Sequence, residues 1–176
     1  MSPAPPQPTL ILIRGNSASG KSAIAAEIRA RYGRGLAIVG QDNLRRDVLR
    51  ERDVPGGANI GLIDLTARHA LRHGFHVVVE GILCAAHYGD MLSVLMADHP
   101  ARSHAYYLDV PFAETLRRHA CKPPTSGYGK REMRAWYREL DLLPGGTEQV
   151  IPATSSLTET ASTIMTDAGL VPPAPQ

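Results

Sequence analysis

Cysteine is scarce in this chain. Cys84 and Cys121 are the only two in 176 residues, and they stand far apart with no C-x-x-C spacing. That excludes a disulfide framework and a cysteine-built zinc site, and it fits a reducing compartment, so a cytoplasmic protein is expected. Aromatic residues make up only 5% of the chain, and 19 Lys and Arg are balanced by 17 Asp and Glu. An extended basic and aromatic surface for nucleic acid is therefore not expected, although a local basic cleft is compatible with the balance. No apolar run approaches the roughly 20 residues of a membrane span, so no membrane partner is expected. The first residues, Ser2 to Pro8, are Pro-rich and lack the basic start and apolar stretch of a signal peptide. Residues 1–8 and 171–176 read as disordered tails around one domain, 9–170, long enough to bury a sizeable core.

What the chain does contain is concentrated near its start. The apolar run Leu10-Ile11-Leu12-Ile13 leads into Gly15-Asn16-Ser17-Ala18-Ser19-Gly20-Lys21-Ser22, which reads G-x-x-x-x-G-K-S, a phosphate-binding loop. Gly15 and Gly20 permit backbone conformations that a Cβ opposes, so successive N–H groups can converge on one anion. A helix beginning near Ser19 or Gly20 adds its positive end. In such a loop Lys21 reaches the β- and γ-phosphates and the Ser22 hydroxyl ligates Mg²⁺. The flanks match: an apolar strand precedes the loop, and an Ala-rich, Pro-free amphipathic stretch to about Tyr32 follows it.

Beyond the loop, apolar runs alternate with amphipathic ones. Strands are expected at Leu10–Arg14, Leu36–Val39, Phe75–Glu80, Ser103–Val110 and Glu148–Ile151. After the first helix, further helices are expected at Asp42 to about Arg52, Asn59–His73, Tyr88–Asp98, Phe112–Cys121, Lys130–Leu140 and Ser156–Ala168. Strands separated by helices imply an α/β fold, a parallel sheet covered on both faces in three layers. Ligands of such sheets lie at the carboxyl ends of the strands, which makes the residues just after each strand candidates.

Asp42 follows the second strand. It can orient an acceptor hydroxyl and take its proton, or it can serve as a helix N-cap. Glu80-Gly81 ends the third strand, where a carboxylate can hold Mg²⁺ or its waters; the alternative is an exposed strand-end acid. Asp109 reads as a strand-end residue. The basic segment Arg117-Arg118-His119-Ala120-Cys121-Lys122 precedes a Pro- and Gly-rich loop, Pro123 to Gly129. Arg118 and Lys122 are candidate lid cations, and the bland alternative is a solvated helix face. His69 and His73 lie four apart with no third ligand and read as a packed or surface pair. Asp53-Val54-Pro55-Gly56 matches D-x-x-G but follows a charged segment, and no N-K-x-D exists, so a GTPase switch is discounted.

On these stretches the chain resembles the small P-loop kinases of the nucleoside-monophosphate-kinase-like group, and among them the compact antibiotic and metabolite kinases typified by chloramphenicol phosphotransferase. The matching stretches are Ile11–Ser22, Val39–Arg46, Val77–Ile82, Tyr107–Pro123 and Val150–Glu159. The resemblance implies a five-stranded parallel sheet, a lid at about 122–135, and ATP (or GTP) with Mg²⁺. It implies that Asp42 activates the acceptor and that Pro152, within Ile151–Thr154, lies near the base. Members of the group carry Asp where this chain has Glu80. The implied function is transfer of a γ-phosphoryl group to the hydroxyl of a small molecule, an antibiotic among the candidates. The alternatives are a polynucleotide 5′-hydroxyl or nucleoside/nucleotide kinase, and a nucleotide-gated regulatory module. The segments expected to form the acceptor pocket, Leu44–Leu65 and Leu83–Met91, carry no readable code, and the oligomeric state is likewise not legible.

Overall fold

The structure, a computed structural model, describes residues 7–121 and 127–171. Five strands, β1 (Leu10–Gly15), β2 (Leu36–Gly40), β3 (His76–Gly81), β4 (Ser103–Asp109) and β5 (Glu148–Pro152), form one sheet in the order β2-β3-β1-β4-β5. Every pairing is parallel. Among the described residues, six α-helices connect and cover it: α1 (Lys21–Tyr32), α2 (Ala58–Arg72), α3 (Ala85–Ala97), α4 (Phe112–Ala120), α5 (Lys130–Trp136) and α6 (Leu157–Asp167).

β1 is the central strand, hydrogen-bonded to β3 on one side and β4 on the other. Its four apolar residues are wholly buried, as a parallel strand covered on both faces requires. Alternation divides them between two cores. Ile11 and Ile13 pack with Ile24, Ile28, Tyr106 and Ile164 beneath α1 and α6. Leu10 and Leu12 pack with Ile63, Leu71, Tyr88 and Leu92 beneath α2 and α3. Each such side chain contributes about 1.5–3 kcal/mol by leaving water.

The end of β1 is different in kind. Arg14 is fully buried and donates to both Glu148 oxygens, at 2.8 and 2.9 Å, to Asp141 Oδ2 at 3.0 Å and to the Leu83 carbonyl at 2.9 Å. One guanidinium thus ties β1 to the start of β5 and to the loops after β3 and α5.

Three expected helices differ from those observed. The stretch from Asp42 toward Arg52 is helical only briefly, ending in a π-helical turn over Asn43–Val48. There the Leu49 N–H reaches back five residues to the Leu44 carbonyl, and Arg50 then turns to φ +52°. Glu51 is drawn away as a cap: its carboxylate accepts the Ala58 and Asn59 N–H groups at 2.7 and 2.8 Å, at the start of α2. The helix expected over Lys130–Leu140 stops at Trp136, because Arg138 N–H donates instead to Asn16 Oδ1 at 2.9 Å. α3 begins at Ala85, before the expected Tyr88, because Asp141 accepts the Ala85 N–H at 2.8 Å. The last two of these differences depend on partners far away in the chain.

Candidate functional site

The phosphate loop occupies residues 15–22, between β1 and α1. Gly15 has φ +148°, and a Cβ there would meet the Leu108 carbonyl oxygen at 2.8 Å and Ser19 Oγ at 3.0 Å. No other residue fits that position without moving the β4 backbone. Ala18 also takes a left-handed conformation, φ +60°. Asn16 pins the loop from behind, donating to the Arg138 carbonyl at 2.7 Å while accepting the Arg138 N–H. Lys21 Nζ folds over the loop and donates to the Asn16 carbonyl at 2.8 Å and Ser19 Oγ at 3.3 Å.

A cavity of about 230 Å³ opens beside the loop, and Lys21, Ser22, Asp42, Glu80, Arg118 and Tyr128 are among its walls. Ser22 Oγ donates to Glu80 Oε2 at 3.0 Å. Glu80 is buried, and this burial pushes its carboxyl above the ordinary range against the opposing effects of Lys21 and the Ser22 hydrogen bond. Gly40, its register partner on β2, makes the room: a Cβ there would stand 3.0 Å from Glu80 Oε1. A serine hydroxyl and a buried carboxylate in contact are the hard oxygen donors that suit Mg²⁺, which takes few protein ligands beside waters and phosphates.

Asp42 faces the same cavity. Its side chain makes no cap hydrogen bond, so the N-cap alternative is not realised. Its Oδ1 instead lies 3.1 Å from Arg45 Nη2 and 3.0 Å from Arg46 Nε, with the carboxylate largely exposed. Arg118 lies on α4 and is anchored rather than solvated. It donates to Glu114 Oε1 at 2.7 Å, the Ser19 carbonyl at 2.9 Å and the Ala153 carbonyl at 3.3 Å. Lys122 and the adjoining part of the expected lid lie outside the described residues.

Arg118 also borders a second cavity of about 420 Å³, whose walls include Ile24, Val110, Ile151, Pro152 and Ala153. On the opposite side, Arg46 and Ile82 are shared with a third cavity of about 410 Å³. The loop cavity thus lies between a mostly apolar pocket at the end of β5 and another pocket beyond the end of β3. No protein-family model matches the chain, and no curated protein does. Solved structures match along nearly its whole length. A tunicamycin resistance protein from Deinococcus radiodurans is 18% identical, with a TM-score of 0.67 over 96% of this chain and 99% of that one. An APS kinase from Mycobacterium tuberculosis, in complex with AMPPNP and APS, is 20% identical, with a TM-score of 0.68 over 92% and 98%. A gluconokinase from Sinorhizobium meliloti is 15% identical, with a TM-score of 0.61 over 93% of each chain. This is the fold of the small P-loop kinases.

In the P-loop fold the ends of the strands are brought together by the parallel sheet, which is why residues 15–22, Asp42, Glu80 and Pro152 converge although the sequence separates them widely. Residues not singled out from sequence also gather here. Gln41 is buried and accepts the Leu83 N–H at 3.0 Å. Asp53, set aside as part of a D-x-x-G match, stays away from the phosphate loop and accepts from the Tyr88 hydroxyl at 3.2 Å, with His87 Nδ1 at 3.1 Å. Tyr128 places its hydroxyl 3.2 Å from Ser17 Oγ, and its ring packs with Trp136, centroid to centroid 5.1 Å. Arg52, Trp136 and Arg138 border the third cavity. Isolated charged or aromatic residues outside a motif gave no signal for this. The His69 and His73 rings lie 4.2 Å apart, tilted by 34°, and no group of three metal-binding side chains occurs among the described residues. No helix among the described residues is long and apolar enough to cross a membrane.

Proposed function

We propose that this chain is a phosphotransferase that moves the γ-phosphoryl group of ATP, or GTP, to a hydroxyl of a small molecule. The observation that carries the reading is the single cavity on which a glycine-framed phosphate loop, the Ser22–Glu80 pair and the exposed Asp42 carboxylate all open. The fold shared with a kinase solved in complex with AMPPNP and APS supports it.

The loop amides of residues 15–22 and Lys21 hold the β- and γ-phosphates, and α1 directs its positive end at them. Ser22 and Glu80 would hold Mg²⁺, which neutralises charge on the transferred group. Pro152 and its neighbours on the second cavity hold the base. Asp42 orients the acceptor hydroxyl and takes its proton. The hydroxyl oxygen bonds to the γ-phosphorus as the bond to the β–γ bridging oxygen breaks, leaving the nucleoside diphosphate. Arg118, fixed by Glu114 and two carbonyls, offers its guanidinium at the border of the phosphate and base pockets. Lys122, on the segment expected to close as a lid, is a second candidate cation. The likeness to a tunicamycin resistance protein supports including antibiotics among the acceptors to be tried. The two unpaired thiols support a reducing, cytoplasmic setting.

The test incubates the protein with Mg·ATP and a panel of hydroxylated antibiotics, sugars, sugar acids and nucleosides, and seeks by mass spectrometry an acceptor carrying one added phosphoryl group. Lys21→Ala should abolish any transfer. A native protein that binds no Mg·AMPPNP by calorimetry, or transfer that persists in Lys21→Ala, overturns the reading.

A further inference from the structure

The third cavity differs from the other two in its charge. Arg45, Arg46, Arg52 and Arg138 stand on its walls with a single carboxylate, Asp53. The chain as a whole carries a formal net charge of only +2, so this concentration is local. Like charges gathered without compensation repel. Here Asp53 is engaged elsewhere, by the Tyr88 hydroxyl, His87 Nδ1 and Gln41 Nε2. Asp42, on the neighbouring cavity, pairs with Arg45 and Arg46. Arg52 and Arg138 have no carboxylate partner among the described residues, and Arg138 spends its Nη1 on the carbonyls of Ala135 and Tyr137 at the end of α5. Two buried nitrogens, Arg45 Nε and Arg46 Nε, have no hydrogen-bond acceptor among the described residues; Arg46 Nε lies near Asp42 without the alignment to donate. Buried donors without acceptors are rare, and guanidinium forks match the oxygens of carboxylate, sulfate and phosphate.

The cavity adjoins the loop cavity, with which it shares Arg46 and Ile82, and it shares no wall residue with the base pocket. An acceptor seated there can direct a hydroxyl into the adjoining loop cavity, where Asp42 lies. From this we infer that the acceptor is a small molecule bearing an anionic group, held by Arg52 and Arg138, with its reacting hydroxyl directed toward Asp42. The inference rests on the kinase reading and narrows it, since neutral polyols and uncharged antibiotics would leave these guanidiniums unanswered.

The chain reports on this site by itself, because Trp136 is its only tryptophan and it borders the cavity. Inorganic sulfate is titrated into the native protein with Mg·AMPPNP saturating the loop, and Trp136 emission is followed. A saturable change is expected, and the double variant Arg52→Gln, Arg138→Gln should need about tenfold more sulfate while binding Mg·AMPPNP as the native protein does. Arg52→Gln alone, on an exposed stretch, provides a second variant if the double one folds poorly by circular dichroism. In transfer assays with matched pairs, gluconate against glucose and uridine monophosphate against uridine, the charged member should be preferred, and the double variant should reduce that preference about tenfold or more. No saturable change, an unshifted midpoint in the variants, or better transfer to the uncharged members overturns the inference. So does displacement of sulfate by a short single-stranded oligonucleotide with steep salt dependence, which would assign the cavity to nucleic-acid ends. If the native protein binds no Mg·AMPPNP yet keeps the arginine-dependent sulfate response, the kinase reading fails while the anion site stands.

Discussion

The Ser22 hydroxyl donates to Glu80 Oε2 at 3.0 Å, joining the last residue of the phosphate loop to the penultimate residue of the neighbouring strand. The contact exists because β3 lies beside β1 in parallel register, Ile13 opposite Glu80. If the pair holds the metal, Glu80→Gln keeps the shape and removes the charge. The Mg²⁺ concentration needed for half-maximal AMPPNP binding should then rise at least about tenfold. Calorimetry at graded Mg²⁺ reads this, and an unchanged requirement removes Glu80 from the metal site.

Asp42→Asn should lower kcat by about 10²–10⁴-fold, the usual contribution of a positioned general base. Mg·AMPPNP affinity should not change, because no loop contact involves the Asp42 side chain. Steady-state kinetics with an identified acceptor, paired with calorimetry, separates the two. Weakened nucleotide binding in the variant would instead make Asp42 part of the nucleotide site.

Arg14→Ala should destabilise the fold by about 3–5 kcal/mol, because it leaves the buried Glu148 carboxylate without its cation. Urea unfolding measures this. A loss under about 1 kcal/mol would mean that water reaches Glu148 and solvates it.

His76 makes stability depend on pH. Its Nδ1 accepts the Thr9 N–H at 3.1 Å, so the ring must be unprotonated there. Burial holds its pKa below the ordinary histidine range, and the Arg102 guanidinium adds to the effect. The unfolded chain therefore takes up the proton first as pH falls. The contribution is fully present above about pH 6.5 and is lost as pH falls from there through the lower folded value. His104, also held low by burial, acts in the same direction. Thermal melting from neutral pH to about pH 5 should show Tm falling, and His76→Asn, which keeps an acceptor without the titration, should fall less. Equal slopes would exclude His76 as a contributor.

How much of this was legible depended on the range of the interactions involved. The phosphate loop was readable because its residues are contiguous: glycines where the backbone takes positive φ, and lysine and serine at the start of a helix. The alternation of apolar runs and amphipathic stretches was enough for a parallel sheet, and the rule that ligands sit at strand ends pointed to Asp42 and Glu80, while Pro152 came only from the family resemblance. The C-terminal end of α5 and the turn after Asp42 were misjudged because propensity continues where another partner, Asn16 or the start of α2, takes the backbone or the capping side chain away.

By itself the sequence determined the α/β class, the phosphate loop and the set of strand-end candidates, since each follows from residue spacing over a few turns. Only the tertiary structure decided the strand order, the Ser22–Glu80 contact through neighbouring strands, and the assembly of Arg45, Arg52 and Arg138 around one cavity. Those depend on which elements pack side by side, and spacing along a chain does not encode distances between segments many tens of residues apart.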